Sequence, residues 1–410
     1  MSLQRIALRS KCVATAEAKA AGDGQPDHFF REAQFSDDGT SIVTLNDDQC
    51  LRTFILPPDL LDGDEKPKVL QEYAAFRSPA SVQSYAIHPS YDLQDPATTL
   101  VLHSATDQPL SLRNSLNYST VAAKYNNVSP TTEAYLTSFS LAFSRDGSRF
   151  ISGGNNHLSI FDCYQGYSDP VLTHRLAPGR KARRLYGEPR LSCKGIVSAL
   201  ATNSASGLLA VGTTEREIGL FPDEGRGECL VSFSIAKALD NSSKAHGTGI
   251  MHLKWSPNGK YLLAAERQSD CIQLYDVRNL VRRVSWLSGR KAETTQRLSF
   301  DVVPTEDGFE VWAGGKDGVV RMWKNPGSKE DEHTPDTELK LHDDAVSSAV
   351  WHPGGAVLAS CSGQRYSNDR FESDNSEDDG ELLVPASTQP HTHDNKLAIW
   401  MITPAISTLE

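Results

Sequence analysis

The chain has 410 residues, of which 39% are hydrophobic, and a formal net charge of -11 at pH 7. This composition excludes disorder throughout the chain, and the acidic balance is opposite to that of proteins that coat nucleic acid indiscriminately. Any RNA binding must therefore use local basic patches. The seven cysteines include no Cys-x-x-Cys pair, so we expect reduced thiols inside the cell rather than a disulfide framework or a zinc module.

Residues 1–28 are predicted to form a short flexible arm. They carry Arg5, Arg9, Lys11 and Lys19 against one early acid, Glu17, a charge balance that is also seen in transit peptides. The stretch has no clear amphipathic face, so an arm is the preferred interpretation. No apolar run of the chain approaches the ~20 residues that span a bilayer. The sequence therefore predicts a cytoplasmic or nuclear protein without a membrane partner.

From residue 29 onward one unit recurs. It consists of a short strand, a turn, a strand rich in small residues, a polar turn, and a strand that ends in an aromatic residue. The first turn contains Pro, Asn, Asp or Gly, which favour tight hairpins. It occurs at residues 35–39, 87–90, 143–147, 255–259 and 351–355, and in degenerate form at 201–204 and 301–304. Small residues follow at 152–154, 211–213, 313–315 and 360–363.

The third strand of each unit has a recognisable end, which is aromatic in six of the seven copies. These ends are Phe54, Arg113, Phe161, Phe221, Tyr275, Trp323 and Trp400. Six residues before each end lies a polar residue that we expect to brace the preceding turn by hydrogen bonds to its backbone. These residues are Asp48, Asp107, Asn155, Glu215, Ser269, Asp317 and Asp394.

The repeat predicts an all-β fold, a seven-bladed WD-repeat β-propeller that spans residues 29–401. Residues 402–410 are predicted to form a C-terminal tail. Because a closed ring of blades exposes no long sheet edge, we expect a monomer.

Function is expected where the chain departs from the repeat. Residues 57–74 have mixed charge and are interpreted as a solvated loop. Residues 175–194 carry seven basic residues and one acid around Tyr186, and residues 278–297 carry six basic residues around Trp286. Basic residues beside an aromatic ring can neutralise phosphates and stack a base. Both segments are therefore candidate RNA contacts, and solvated loops are the alternative.

Residues 364–395 interrupt the last unit. From residue 365 to residue 381 they contain seven acids and two arginines, so a disordered acidic insertion is predicted at about 366–393. Ser373 and Ser376 lie beside acids and are weak candidates for phosphorylation. His391 and His393 have the spacing of a metal pair but are interpreted as loop histidines.

The sequence contains no P-loop, no Gly-x-Ser-x-Gly and no His-Glu-x-x-His. It therefore predicts a binding platform rather than an enzyme. No catalytic residue, metal site or cofactor is expected.

Three stretches resemble the telomerase Cajal body protein family, whose fungal members are linked to pre-mRNA splicing. FFREAQFSDDG at 29–39 is similar to the family's first blade, and TTQRLSFD at 294–301 is similar to its entry into blade six. LASCSGQR at 358–365 is similar to its blade-seven strand and leads, as in the family, into an acidic insertion before KLAIW at 396–400. The resemblance covers roughly residues 29–401. The short arm and Arg113 depart from the family pattern.

The resemblance implies a nuclear RNA-binding adaptor of small ribonucleoproteins, with small Cajal-body-type RNA, telomerase RNA or spliceosomal particles and their protein subunits as partners. A rigid ring would present single-stranded RNA to arginines and aromatic residues on one face. By charge and loop position, the first candidate RNA contacts are Arg282, Arg283, Arg290, Lys291, Gln296 and Arg297. The next are Arg180, Lys181, Arg183, Arg184 and Arg365. The alternative is a protein-only WD-repeat scaffold of a nuclear or cytoplasmic complex.

Overall fold

The computed structural model describes residues 8–18, 28–63, 65–177, 193–236, 247–279, 282–364 and 394–404. Within these ranges the regular structure is β-strand, apart from one 3₁₀ turn at Asp223–Gly225. The strands form seven sheets, and the innermost strands of neighbouring sheets contact each other around a central channel. The predicted all-β propeller with seven blades is confirmed.

Each blade has four antiparallel strands, which run in order from the channel to the rim. The chain begins with β1 (Leu8–Glu17), which belongs to the last blade. Blade one contains β2 (Phe30–Phe35), β3 (Ser41–Asn46), β4 (Cys50–Ile55) and, after the short β5 (Lys68–Val69), β6 (Glu72–Arg77). Blade two contains β7 (Val82–Ile87), β8 (Leu100–Ala105), β9 (Leu110–Asn114) and β10 (Val121–Tyr125). Blade three contains β11 (Ser140–Phe143), β12 (Arg149–Gly153), β13 (His157–Asp162) and β14 (Leu172–Arg175).

The remaining blades follow the same order. Blade four contains β15 (Val197–Thr202), β16 (Leu209–Thr213), β17 (Glu217–Phe221) and β18 (Val231–Ser234). Blade five contains β19 (Ile250–Trp255), β20 (Tyr261–Glu266), β21 (Ile272–Asp276) and β22 (Arg282–Leu287). Blade six contains β23 (Phe300–Thr305), β24 (Gly308–Gly314), β25 (Val319–Lys324) and, after β26 (Asp331–His333), β27 (Thr337–Lys340). Blade seven contains β28 (Val346–Trp351), β29 (Val357–Ser362), β30 (Lys396–Pro404) and β1.

Antiparallel strands place alternate connections at opposite ends of a blade. Turns between the first and second strands, and between the third and fourth, lie on what we call the lower face. Turns between the second and third strands, and the connections from one blade to the next, lie on the upper face. This topology decides which loops can act together.

The seven predicted strand ends all lie on third strands, and the six aromatic ones lie in or against the cores between blades. Arg113 takes the aromatic position in blade two. Its guanidinium carbon lies 4.1 Å from the centroid of the Phe76 ring. The same group donates to His103 Nε2 at 3.2 Å and to the Tyr118 carbonyl oxygen at 2.7 Å. Arg113 therefore replaces ring packing by a stacked and hydrogen-bonded guanidinium.

The prediction of a flexible arm over residues 1–28 is wrong for β1. This strand pairs with β30 from Leu8 opposite Pro404 to Glu17 opposite Lys396, and β5 adds to its other edge. Exposed and covered side chains alternate along the first half of β1, as expected for an outer strand. The pairing also extends β30 to Pro404, beyond the predicted end at residue 401. The N-terminal strand thus completes the last blade.

The polar residue six positions before the strand end bonds the backbone of its own turn in blades one, five and six, where Asp48, Ser269 and Asp317 accept from the N–H groups two residues on. Among the described residues, no backbone N–H donates to the side chains of Asp107, Asn155 and Glu215, so the prediction holds only in part.

In blade seven the residue at this position bonds an inter-blade connection. Asp394 Oδ2 accepts hydrogen bonds from Asp343 N at 3.0 Å and from His342 Nδ1 at 3.1 Å. His342 Nε2 lies 2.7 Å from Ser360 Oγ, which also accepts from Trp400 Nε1 at 2.8 Å. Ser360 is fully buried, so this serine, histidine and aspartate tie strands β29 and β30 to the connection between blades six and seven.

Two other blades use an arginine four residues after the bracing aspartate. Asp48 lies 2.6 Å from Arg52, and Asp317 lies 2.7 Å from Arg321. Burial opposes ionisation of both carboxyl groups, but the hydrogen bonds and positive charge of these arginines lower the pKa of each to about 2. The two carboxylates therefore stay ionised and paired at neutral pH.

Neighbouring blades are also joined on the lower face. Blades one, three and five contain a Ser-x-x-Gly turn whose glycine has a positive φ of 67° to 72°. A side chain of the preceding blade donates a hydrogen bond to each of these glycine carbonyl oxygens. The pairs are His352 with Gly39 at 3.0 Å, His88 with Gly147 at 3.3 Å, and Asn203 with Gly259 at 2.9 Å. Each histidine ring accepts a backbone N–H on Nδ1, which leaves the proton on Nε2 for this bond.

We expect the propeller to lose stability as the pH falls below about 6.5, in part through His103. This side chain is buried, and burial lowers its pKa to about 3. The unfolded chain binds a proton at this histidine below about pH 6.5 whereas the folded chain does not, so the free energy of unfolding falls by about 2 kcal/mol on going to about pH 5. In a His103→Gln variant an acceptor for Arg113 remains but does not titrate. Urea denaturation at about pH 7 and about pH 5 should show a smaller loss in this variant, and an equal loss would contradict the assignment.

Candidate nucleic-acid interface

A cavity of about 670 Å³ lies in the central channel. All seven blades contribute to its wall, through the starts of inner strands, the ends of second strands and the connections between blades. Its lining residues include Arg31, Glu32, Gln83, Phe139, Ile196, Thr214, Met251, Arg267, Gln296, Arg297 and Gln364. These positions place the cavity at the upper face.

Four of the lining residues occupy the same position of the repeat. Arg31, Gln83, Ser198 and Met251 are the extra residues at register shifts between the first and second strands of blades one, two, four and five. An extra residue in one strand is left out of the ladder and re-aims its side chain, in this case toward the channel. These residues were not predicted from the sequence. Their signal is the position directly after the first buried apolar residue of each inner strand.

The charge in the cavity is predominantly positive. Arg31, Arg267 and Arg297 line it, against the single acid Glu32, which accepts a hydrogen bond from Gln34 at 3.1 Å. Within the described ranges, the guanidinium groups of Arg267 and Arg297 have no hydrogen-bond acceptor and no ion-pair partner. Low-dielectric walls focus such a field, so the cavity suits an anionic ligand.

The second of the two basic segments, residues 278–297, does not act as one surface. Arg282 and Arg283 lie at the start of β22, near the lower face and the rim. Arg282 pairs with Glu330 at 2.7 Å, and Arg283 lies 5.1 Å from the ring of Trp286. β26 runs along this edge, parallel to β22. Strand β22 therefore separates these two arginines from the candidates on the upper face, and their role as RNA contacts stays a prediction.

Arg290 lies inside the propeller rather than on its surface. Its side chain is buried and donates to three carbonyl oxygens, those of Gly314 at 3.1 Å, Leu298 at 2.8 Å and Ser299 at 2.9 Å. Burial lowers the pKa of Arg290 to about 10. This guanidinium holds the connection between blades five and six, and it does not face solvent.

The other residues of this segment lie on the upper face. Lys291 is exposed and pairs with Asp317 at 3.2 Å. Gln296 donates to the Gly363 carbonyl oxygen at 2.8 Å, which joins blade six to blade seven, and Arg297 lines the cavity. Three of the six first candidates, Lys291, Gln296 and Arg297, therefore share the upper face, and Gln296 and Arg297 line the cavity.

The remaining candidates lie outside the described residues. Arg180, Lys181, Arg183 and Arg184 belong to the connection that leaves the upper end of β14 and leads to β15. Arg365 and the predicted acidic insertion at 366–393 follow Gln364, which is at the cavity wall. Both segments are therefore joined to the described chain on the upper face. No helix of the described residues is long and apolar enough to cross a bilayer.

Comparison with known proteins places these features in a family. The WD domain, G-beta repeat family matches residues 239–276 and 333–369. The chain is 32% identical over 362 residues to guanine nucleotide-binding protein negative regulator 1 of Schizosaccharomyces pombe. The match covers 87% of this chain and 84% of that protein. It is also 27% identical over 385 residues to telomerase Cajal body protein 1 of Homo sapiens. This match covers 92% of this chain and 64% of the human protein.

A shorter match extends to yeast. The chain is 27% identical over 262 residues to protein SWT21 of Vanderwaltozyma polyspora, which covers 60% of this chain and 56% of that protein. The chain spans just under two thirds of the human relative. The repeat pattern, the seven closed blades and these matches agree, and the chain belongs to the WD-repeat family that contains the S. pombe regulator and the telomerase Cajal body proteins.

Proposed function

We propose that this protein is a non-catalytic RNA-binding adaptor of nuclear small ribonucleoproteins, and that RNA binds on the upper face. The observation that carries the proposal is the pair Arg267 and Arg297 at the channel, whose guanidinium groups have no acceptor within the described ranges. Phosphates are the ligands that arginines recognise best in a nucleic acid. The two segments that hold the other basic candidates are joined to the same face.

The class of RNA is proposed from the relatives. One of them is named for telomerase and the Cajal body. We base the proposal of a nuclear ribonucleoprotein on that name. We propose telomerase RNA, small Cajal-body-type RNA or the RNA of spliceosomal particles as ligands, with ribonucleoprotein subunits as protein partners. The nucleus is the corresponding location.

The structure changes which residues this proposal uses. Among the residues that the structure describes, the proposed RNA contacts are Arg267, Lys291, Gln296 and Arg297. Arg180, Lys181, Arg183, Arg184 and Arg365 remain proposed contacts by their position in the chain. Arg282, Arg283 and Arg290 are left out, because two lie near the lower face and the third is buried.

A protein-only scaffold is the second candidate. Its support is the name of the S. pombe relative, a negative regulator of a guanine nucleotide-binding protein, together with the net charge of -11. In this case the upper face would dock an acidic peptide or subunit rather than RNA.

Sequencing of RNA that is crosslinked to the tagged protein in cells separates the two candidates. The RNA adaptor predicts enrichment of small nuclear or telomerase RNA over a tagged control. The enrichment should fall in an Arg267→Gln, Arg297→Gln double variant and persist in an Arg278→Gln, Arg282→Gln variant, because the latter arginines lie near the lower face. Recovery of protein subunits with RNA at background level would overturn the adaptor and favour the scaffold.

A further inference from the structure

The lining of the cavity in the channel combines arginines with apolar side chains. Arg267, Arg297 and Arg31 belong to blades five, six and one. Phe139 of blade three and Ile196 of blade four also line the cavity, and both are only partly buried. A ligand that fills this cavity would therefore carry both negative charge and a flat or apolar group.

Two amide oxygens extend the cavity's recognition chemistry. The side-chain nitrogen of Gln83 donates hydrogen bonds to the hydroxyl oxygens of Ser81 and Thr106. The side-chain nitrogen of Gln296 donates to the Gly363 carbonyl oxygen. The oxygens of the same two amides accept no hydrogen bond from the described residues. They are available to the amino or imino N–H groups of a nucleobase.

We propose that the cavity holds one unstacked nucleotide of the bound RNA. Its base would pack on Phe139, its edge would face Gln83 and Gln296, and its phosphate would contact Arg267 and Arg297. The cavity volume of about 670 Å³ is within the range of small-molecule sites. A base inside a duplex cannot enter such a site, so the nucleotide must come from a loop or a single strand. This inference rests on the proposed RNA-binding function and assigns it a position-specific contact.

Ultraviolet crosslinking followed by mass spectrometry tests the inference on the full chain. Cells that express the tagged protein are irradiated, the RNA is digested to nucleotides, and peptide adducts are located by fragmentation. We expect an adduct at Phe139. In a Phe139→Leu variant, which retains an apolar side chain, that adduct should disappear and affinity for the copurified RNA should fall roughly tenfold. Tyr164→Leu is the matched control, because Tyr164 is exposed near the lower face.

The outcomes separate this inference from the function on which it rests. If RNA is recovered but its adducts lie only on other segments, the nucleotide site is wrong and the RNA adaptor stands. If no RNA is recovered above background, both are wrong. The adduct map of the unmodified protein is decisive even if Phe139→Leu does not fold, and the melting temperature of each variant shows whether it does.

Discussion

Replacing Arg290 by methionine should destabilise the propeller by about 3–5 kcal/mol. The substitution keeps much of the apolar stem but leaves the carbonyl oxygens of Gly314, Leu298 and Ser299 without their donor. Each unsatisfied buried acceptor costs about 1–3 kcal/mol, and relief from burying a charge offsets only part of that cost. Guanidinium chloride denaturation measures the difference.

The neighbouring residue provides the control. Lys291 is exposed and forms one surface ion pair, so Lys291→Met should change the free energy of unfolding by less than about 1 kcal/mol. If Arg290→Met is as stable as Lys291→Met, the assignment of Arg290 to the blade junction is wrong. A loss of RNA binding in a folded Arg290→Met protein would return this residue to the RNA contacts.

Replacing Gly147 by alanine should cost about 3 kcal/mol or more. The backbone at Gly147 has φ of +69°, a conformation that costs a residue with a Cβ about 1–2 kcal/mol. A Cβ would also lie 2.5 Å from Cε1 of His88, the ring that donates to the Gly147 carbonyl oxygen. Moving the ring would break that inter-blade bond, so the steric and hydrogen-bond losses add to the backbone strain.

Gly355 is a matched control for this prediction. Its φ is +72°, but nothing lies within 4 Å of the Cβ position. Gly355→Ala should therefore cost only the backbone strain, about 1–2 kcal/mol. Equal melting temperatures for the two variants would show that the contact between blades two and three contributes nothing beyond backbone conformation.

The fold could be predicted from the sequence because the repeat carries redundant signals. A polar residue and a strand end six positions apart recur seven times, and either one alone would identify most blades. Even Arg113 kept its place, because the spacing to Asp107 survived the loss of the aromatic ring. The N-terminal strand could not be predicted, since β1 is separated from its partner β30 by almost the whole chain.

The candidate site was predicted only in part. A count of basic residues cannot distinguish Arg290, which is buried, from Lys291, which is exposed. The same count cannot show that Arg282 lies near the lower face whereas Arg297 lies on the upper face. Arg31 and Arg267 were missed because they lie within the repeat rather than in an insertion. Arg31 lines the channel because it lies at a register shift, and Arg267 because it follows the end of a second strand.

The salt dependence of RNA affinity tests the central claim most directly. Affinity for a synthetic form of the copurified RNA is measured across salt concentrations for the unmodified protein, for Arg267→Gln with Arg297→Gln, and for Arg278→Gln with Arg282→Gln. For single strands each lost phosphate contact lowers the slope of log affinity against log salt by about 0.7. We predict a slope lower by about 1.4 in the channel variant and an unchanged slope in the lower-face variant. Equal slopes in all three proteins would contradict RNA binding at the channel.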